Sequence, residues 1–214
     1  MVEVNLLEKY PKRKRDTKTR SEKKTQSIID CNLTFGWEYF DKKGYCYEGY
    51  SYDGRWIPIV EDIIKYYNLK PGAKILDVGC AKGYVVYDFV NAGMDAYGLD
   101  ISKYAISCSP PNIRDRLYLG NALDLSRFKD DEFDLVISIN CVHCLDEEGA
   151  RQAIKEIQRV GKHAFITVDS FRTKEEEERM MEWIVAGRTA MSVDDWIKLF
   201  KEEGFIGDYY WFII

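Results

Sequence analysis

No apolar run in these 214 residues approaches the roughly 20 needed to span a bilayer, which leaves no transmembrane helix to expect. A hydrophobic core is also missing behind the charges of the first stretch, MVEVNLLEKYPKRKRD, so no secretory signal is expected and the chain reads as cytoplasmic. Paired metal-ligand spacing is absent too. Cys141-Val-His-Cys144 has no second ligand pair at zinc spacing and lacks a redox-motif context, so no metal is expected. The six cysteines (Cys31, Cys46, Cys80, Cys108, Cys141 and Cys144) are scattered, several at positions read as buried strand or loop, which argues for reduced packing thiols over disulfides.

What is present is ordinary globular material, 46% apolar and 31% charged, enough for one sizeable core. The charge is uneven. Residues 1 to 24 hold nine basic and four acidic side chains, a net of +5, while the other 190 carry −10. Such an arm could touch RNA or an anionic substrate, or be a solvated extension or a docked helix; the acidic body argues against broad nucleic-acid binding. Next comes an aromatic stretch from Trp37 to Pro58, interrupted by Gly44, Gly49 and Gly54, which reads as a packed loop. Its rings either cover the core or form a lid, in which Tyr47, Tyr50 and Tyr52 would face a substrate and Arg55 would offer a bidentate fork to a carboxylate. The expected division is an extension and lid over 1–55 and a main domain over 56–214.

The main domain is organised around KILDVGCAKGY, Lys74 to Tyr84. Ile75, Leu76 and Val78 make a short buried strand, Gly79 and Gly83 bracket a turn, and Tyr84, Val85, Val86 and Phe89 begin a helix. Here the spacing is D-x-G-x-x-x-G, not the G-x-G-x-x-G of a pyrophosphate cradle. The Asp77 carboxylate would repel a phosphate but suits a ligand carrying ammonium and sulfonium. Further strands are expected at Ala96 to Asp100, Leu117 to Gly120, Phe133 to Ile139, Ala164 to Asp169 and Tyr209 to Ile214. Asp100 lies 21 positions past Gly79, where α/β nucleotide folds set an acid for the ribose hydroxyls; the lesser alternative is an acid at the N-terminus of the next helix, before Ser102. Asn121 closes the third strand, as a turn residue or a ligand contact. The fourth strand delivers Asn140 to His143 to the same edge, and the fifth delivers Asp169.

In order from residue 73 to 214, these motifs resemble the class I S-adenosylmethionine-dependent methyltransferases: the Gly-loop matches the family's first motif and FDLVISI its fourth. The resemblance implies a Rossmann-like α/β fold, a mostly parallel sheet flanked by helices and ending in an antiparallel C-terminal strand. Only Phe205-Ile206 remains for the sixth strand before a turn at Gly207-Asp208, so a shortened hairpin is expected. S-adenosylmethionine is the implied cofactor, held by Asp77, Gly79, Cys80 and Gly83, by Asp100 with Ile101, by Asn121 with Ala122, by Asn140, and at its carboxylate by Arg55. His143 is the candidate base, because a histidine titrates near neutrality; a structural histidine is the alternative. His163, before the fifth strand, is given no catalytic role. GYCYEGYSYDGRW and GDYYW also resemble a bacterial subgroup found with surface-polysaccharide enzymes. That implies a small-molecule acceptor such as a sugar hydroxyl, with Tyr47, Tyr50, Tyr52 and Asp169 on the substrate side. An RNA or protein methyltransferase, or a noncatalytic S-adenosylmethionine-binding protein, remain alternatives, and the oligomeric state is open.

Overall fold

The structure is a computed structural model that describes residues 1–11, 15–44 and 49–214. Its centre is a six-stranded sheet of β1 (Lys74–Val78), β2 (Asp95–Asp100), β3 (Leu117–Leu119), β4 (Leu135–Ile139), β5 (Ala164–Asp169) and β6 (Asp208–Phe212). The spatial order is β3-β2-β1-β4-β5-β6, and every pairing is parallel. Helices cover both faces, which is why the central strands read as continuous apolar runs. Alternate side chains serve opposite cores. Leu76, Val136, Ile166 and Val168 pack under α7 (Glu147–Val160) and α9 (Val193–Glu202), with Ile154, Ile157, Trp196 and Phe200. Ile75, Leu135, Ile137 and Phe165 pack under α4 (Ile57–Tyr66) and α5 (Tyr84–Asn91), with Ile59, Ile63, Val86 and Phe89.

The expected antiparallel C-terminal strand is not formed. Register runs from Phe165 opposite Asp208 to Asp169 opposite Phe212, both strands pointing the same way. Phe205 is drawn back to α9, its amide bonding Phe200 O at 2.9 Å, so no residues are left for a sixth strand and hairpin. The chain instead crosses from β5 through α8 (Lys174–Trp183) and α9 and enters β6 from the same edge as β5, the arrangement that a helical crossover permits. The outer side of β6 is met by the N-terminal residues: Val4 N donates to Tyr209 O (2.9 Å) and Tyr209 N to Val2 O (3.0 Å). Leu6 and Leu7, just beyond, are buried in the cluster around Phe89.

The basic arm is a docked helix. In α1 (Thr17–Lys23), Asp16 caps the Thr19 amide, and the helix lies against the acid-rich α8. Lys24 Nζ donates to the carbonyls of Met181 (2.6 Å) and Ile184 (2.9 Å), and Arg20 Nε to that of Trp183 (2.8 Å). Cations thus satisfy carbonyls left open at the end of α8, where the helix dipole favours positive charge. From there α2 (Gln26–Asn32) and α3 (Trp37–Phe40) lead across the carboxyl edge of the sheet, before α6 (Lys103–Ser107) receives them: Ser102, its N-cap, also donates to Phe35 O. The aromatic stretch therefore opens with a helical turn where a loop was expected. No helix among the described residues is long and apolar enough to cross a membrane.

Phe89 is fully buried between α5, α4 and the sheet. Phe89→Ala is expected to cost about 3 to 5 kcal/mol of unfolding free energy. Urea denaturation should show this as a lower midpoint at unchanged slope.

Candidate active site

β1 and β4 are neighbours, yet the chain leaves them in opposite directions, to β2 on one side and β5 on the other. At such a switch point, ligands bind beyond the carboxyl ends. Two cavities, of about 270 and 390 Å³, meet there across Gly79, Ala81, Ile139 and Asn140. The junction is backbone in unusual conformations. Ala81 and Asn140 are non-glycine residues at φ +51° and +54°, and Gly79 sits at +86°. A side chain on Gly79 would also meet Cys141 Cβ and Sγ at 2.5 Å, so this glycine is required by the close passage of β4's end, a reason beyond ligand approach.

The larger cavity takes its polar edge from Asp100. Its carboxylate accepts from the amides of Ala81 and Ser102, each at 2.7 Å, which fixes its plane while the remaining lone pairs stay available to a diol. Burial raises its pKa and these two amides oppose the shift. Ile101, 56% exposed, and the buried Ala122 line the walls with Leu99, Leu123 and Leu145. Asn121 lines the cavity, and its Oδ1 accepts from Leu123 N (3.1 Å) in a turn. Flat apolar walls around a fixed carboxylate fit a nucleoside.

The smaller cavity has Asp77 at its floor, 3% exposed and with no hydrogen bond or ion pair among the described residues. Burial, and then the charge of Asp100, push its carboxyl up to about 8. An unpartnered carboxylate opening into a cavity is completed by a cationic ligand, so the donor set fits the ammonium and sulfonium of S-adenosylmethionine. Cys80 lies beside it as a buried thiol, pushed up by burial and the two acids. Asn140 joins both cavities; its Oδ1 accepts from Thr167 Oγ1 (3.0 Å), which in turn accepts from Asn140 N (3.1 Å).

His143 follows β4 in a short 3-10 turn, 6% exposed. Its Nδ1 accepts from the Asp169 amide (3.2 Å), and Nε2 stands 3.6 Å from Asp169 Oδ2. With Nδ1 accepting, the neutral ring carries its proton on Nε2, facing the carboxylate. Neither nitrogen is left as a free base toward the cavity, which corrects the expectation for His143 and turns attention to the Asp169 carboxylate in the same wall. The His143 carbonyl also accepts from Arg188 N (2.9 Å) and Thr189 N (3.0 Å), fastening the segment after α8 over the cavity.

Several expected residues lie elsewhere. Gly83 caps α5 behind the loop, where a side chain would meet Leu117 and Ile113 at 2.8 and 2.9 Å; packing explains it, and it lines neither cavity. Arg55 is taken up by Asp53, with Nε at 2.7 Å from Oδ1, and by the hydroxyl of Tyr10, so that it stands behind the wall of the smaller cavity and lines neither. Tyr52 donates to Asp88 Oδ1 (2.6 Å) on α5 and packs tilted against Tyr84 and edge-on to Tyr87, which holds it off the site, whereas Tyr50 lines the smaller cavity. Tyr47 lies outside the described residues. His163 packs on Tyr67, where no role was expected of it. Among the described residues no cluster of His, Cys, Asp or Glu could hold a metal ion.

Sequence reasoning missed Arg15, Arg20, Tyr39 and the run Trp183 to Gly187, all of which line the smaller cavity. Lys82, within the Gly-loop, is buried and bonded to both oxygens of Asp41 (2.7 and 2.8 Å) and to Tyr50 O (2.7 Å). Burial alone would raise the Asp41 pKa, but hydrogen bonds from Lys82 and Tyr104 outweigh it and hold the carboxyl below its ordinary value.

Comparison with known proteins agrees with this geometry. Residues 76–164 match the family described as Methyltransferase domain. An uncharacterized methyltransferase of Synechocystis is 28% identical over 106 residues, 49% of this chain and 50% of its own. An uncharacterized protein of Methanocaldococcus jannaschii is 30% identical over 125 residues, 58% of this chain and 47% of its own. The chain thus spans about half the length of the curated relatives it matches. The Bacillus subtilis YcgJ protein shares the fold, with a TM-score of 0.55 at 19% identity over 67% of this chain and 66% of that one. Residues 76–164 thus match a methyltransferase-domain family, and the donor set of the two cavities fits S-adenosylmethionine.

Asp77 supplies a pH test. A carboxyl raised from 3.8 to about 8 binds a proton in the folded state that the unfolded chain has already released. Its contribution to stability is full below about 4 and is lost as pH rises through about 8. The melting temperature of the free protein should therefore fall over that window more in wild type than in Asp77→Asn. At pH 7, calorimetry with S-adenosylhomocysteine in buffers of different ionisation heat should report release of up to about one proton, absent in Asp77→Asn, because the ligand's ammonium favours the ionised carboxylate.

Proposed function

We propose that the chain, built on its S-adenosylmethionine-dependent methyltransferase domain, methylates a hydroxyl of a small-molecule acceptor, with sugars and surface-polysaccharide precursors as the acceptor class. The carrying observation is the Asp169–His143 pair in a cavity of about 270 Å³ that opens onto the cofactor cavity. Tyr10, Arg15, Arg20, Tyr39 and Tyr50 roof that cavity from the N-terminal side and Trp183 to Gly187 from the other. Such a roof suits a small molecule better than a nucleic acid or a folded protein. The sugar class is drawn from the chain's resemblance to polysaccharide-associated methyltransferases.

The cofactor, when bound, supplies an electrophilic methyl on sulfur. Asp100 would hold the ribose hydroxyls and Asp77 would balance the cationic end. Asp169 takes the proton of the acceptor's hydroxyl, and His143, tied through Nδ1 to the Asp169 amide, stands with Nε2 3.6 Å from that carboxylate and limits its movement. Tyr50, Trp56 and Trp183 exclude water. Holding the two reactants in line is worth up to about 7 to 11 kcal/mol, the larger share of the acceleration, and a positioned base adds about 10²- to 10⁴-fold.

Asp100→Ala is expected to weaken S-adenosylhomocysteine binding by about 1.5 to 3 kcal/mol, read by calorimetry. Asp169→Asn should lower kcat by about 10²- to 10⁴-fold at little change in KM, and His143→Gln should cost less, since a residue that only orients the base is partly replaced. An equal or larger loss in His143→Gln would return the base role to the imidazole. The acceptor class is tested by transfer of labelled methyl to a panel of hydroxylated metabolites and nucleotide sugars; transfer to RNA or protein with none to these would reject it.

A further inference from the structure

The cavity that holds Asp169 and His143 is bipolar. Its carboxylates, Asp77 and Asp169, belong to the sheet edge, while its two guanidinium groups, Arg15 and Arg20, come from the N-terminal arm. Both cations lie against one ring: the guanidinium carbons stand 4.9 Å (Arg15) and 4.2 Å (Arg20) from the centroid of Trp183. Arg20 is aimed by its Nε bond to Trp183 O at 2.8 Å. Arg15 is half-buried, and among the described residues it has this ring contact but no hydrogen-bond acceptor and no acidic partner. Two like charges gathered on one aromatic plate, one of them with all its N–H donors unmet, make an arrangement that an anion completes.

We propose that Arg15 and Arg20 clamp an anionic group of the acceptor, a carboxylate or a phosphate, against Trp183. The proposal rests on the methyl-transfer reading of the same cavity and narrows it: the acceptor is a small molecule with a nucleophilic hydroxyl at one end and an oxyanion at the other. Neutral sugars and polyols lack the handle, whereas sugar acids, sugar phosphates and nucleotide-linked sugars have it. The cofactor's own carboxylate has the same chemistry. Asp77, which faces the cofactor's ammonium, lines the same cavity as the arginines, so titration with and without S-adenosylhomocysteine separates the two sources.

The full chain would be titrated calorimetrically with malonate and with inorganic phosphate, with and without saturating S-adenosylhomocysteine, against chloride at matched ionic strength. Saturable binding of at least one anion is expected; preference for malonate or phosphate identifies the carboxylate or the phosphate as the handle. Arg15→Gln should weaken that binding about tenfold, as for loss of a hydrogen bond to a charged group. Arg15→Lys should recover only part of it, since an ammonium lacks the planar fork. Arg20→Gln should act similarly, and circular dichroism would check that α1 remains docked. S-adenosylhomocysteine affinity should change less than twofold in both Gln variants. No saturable anion binding, or a loss below fivefold in Arg15→Gln, overturns the clamp; a fall in S-adenosylhomocysteine affinity assigns the arginines to the cofactor and overturns it too. Failure of S-adenosylhomocysteine to bind the wild type would instead strike the methyl-transfer reading, the anion titration of the free chain still deciding the clamp.

Discussion

The buried contact between Lys82 and Asp41 holds the two halves of the site together. Lys82 belongs to the loop after β1 and Asp41 follows α3, and the ammonium also reaches the Tyr50 carbonyl. Tyr104 adds a hydrogen bond to Asp41 from α6 (2.6 Å). One cation thus joins the Gly-loop, the aromatic segment and the helix after β2. Desolvating such a pair is costly, so by itself it is poor evidence of stability; removing one partner leaves an uncompensated buried charge, typically about 3 to 5 kcal/mol. What it supplies is position. Tyr39, Phe40 and Tyr50 are fixed over the sheet edge by a polar bond with direction, where ring packing alone would let them slide.

The floor of the site stores strain that the same loop offsets. Ala81 and Asn140 adopt left-handed backbone, a cost of about 1 to 3 kcal/mol each where the surroundings must impose it, less for asparagine. Asp100 receives the Ala81 amide and Thr167 receives that of Asn140, so each strained residue is anchored by a side chain from a neighbouring strand. Both lie at the junction of the cavities.

Much of this was legible because it is periodic or local. Strand β1, the glycine turn, Asp100 at the end of β2 and the Thr173–Glu176 capping box follow from apolar runs and short-range hydrogen bonding, and appear where expected. The direction of β6 did not, since a strand's own pattern is the same whichever way its neighbour points, and what decided it was the lack of residues between Phe205 and Asp208. Arg55 and Tyr52 were misassigned for a similar reason. A side chain's partner is set by three-dimensional proximity, and Asp53 and Asp88 reach them first. Arg15 and Arg20 were hidden in a run of like charges whose composition says nothing of which two turn inward. The tautomer of His143 depends on an amide 26 positions away, which no sequence motif records.

The contact of Val2 and Val4 with Tyr209 ties positions roughly 200 residues apart. During synthesis the first segment leaves the ribosome long before its partner exists, and α1 must likewise wait for α8. The sheet interior, from β1 to β5, can gather earlier, while the N-terminal contact waits for β6, whose Phe212 adds to the wall of the smaller cavity. Contacts of such long separation form slowly. A chain that has not yet paired β6 would therefore hold the strand ends around Asp77 and Asp100 while the smaller cavity still lacked the wall that Phe212 supplies.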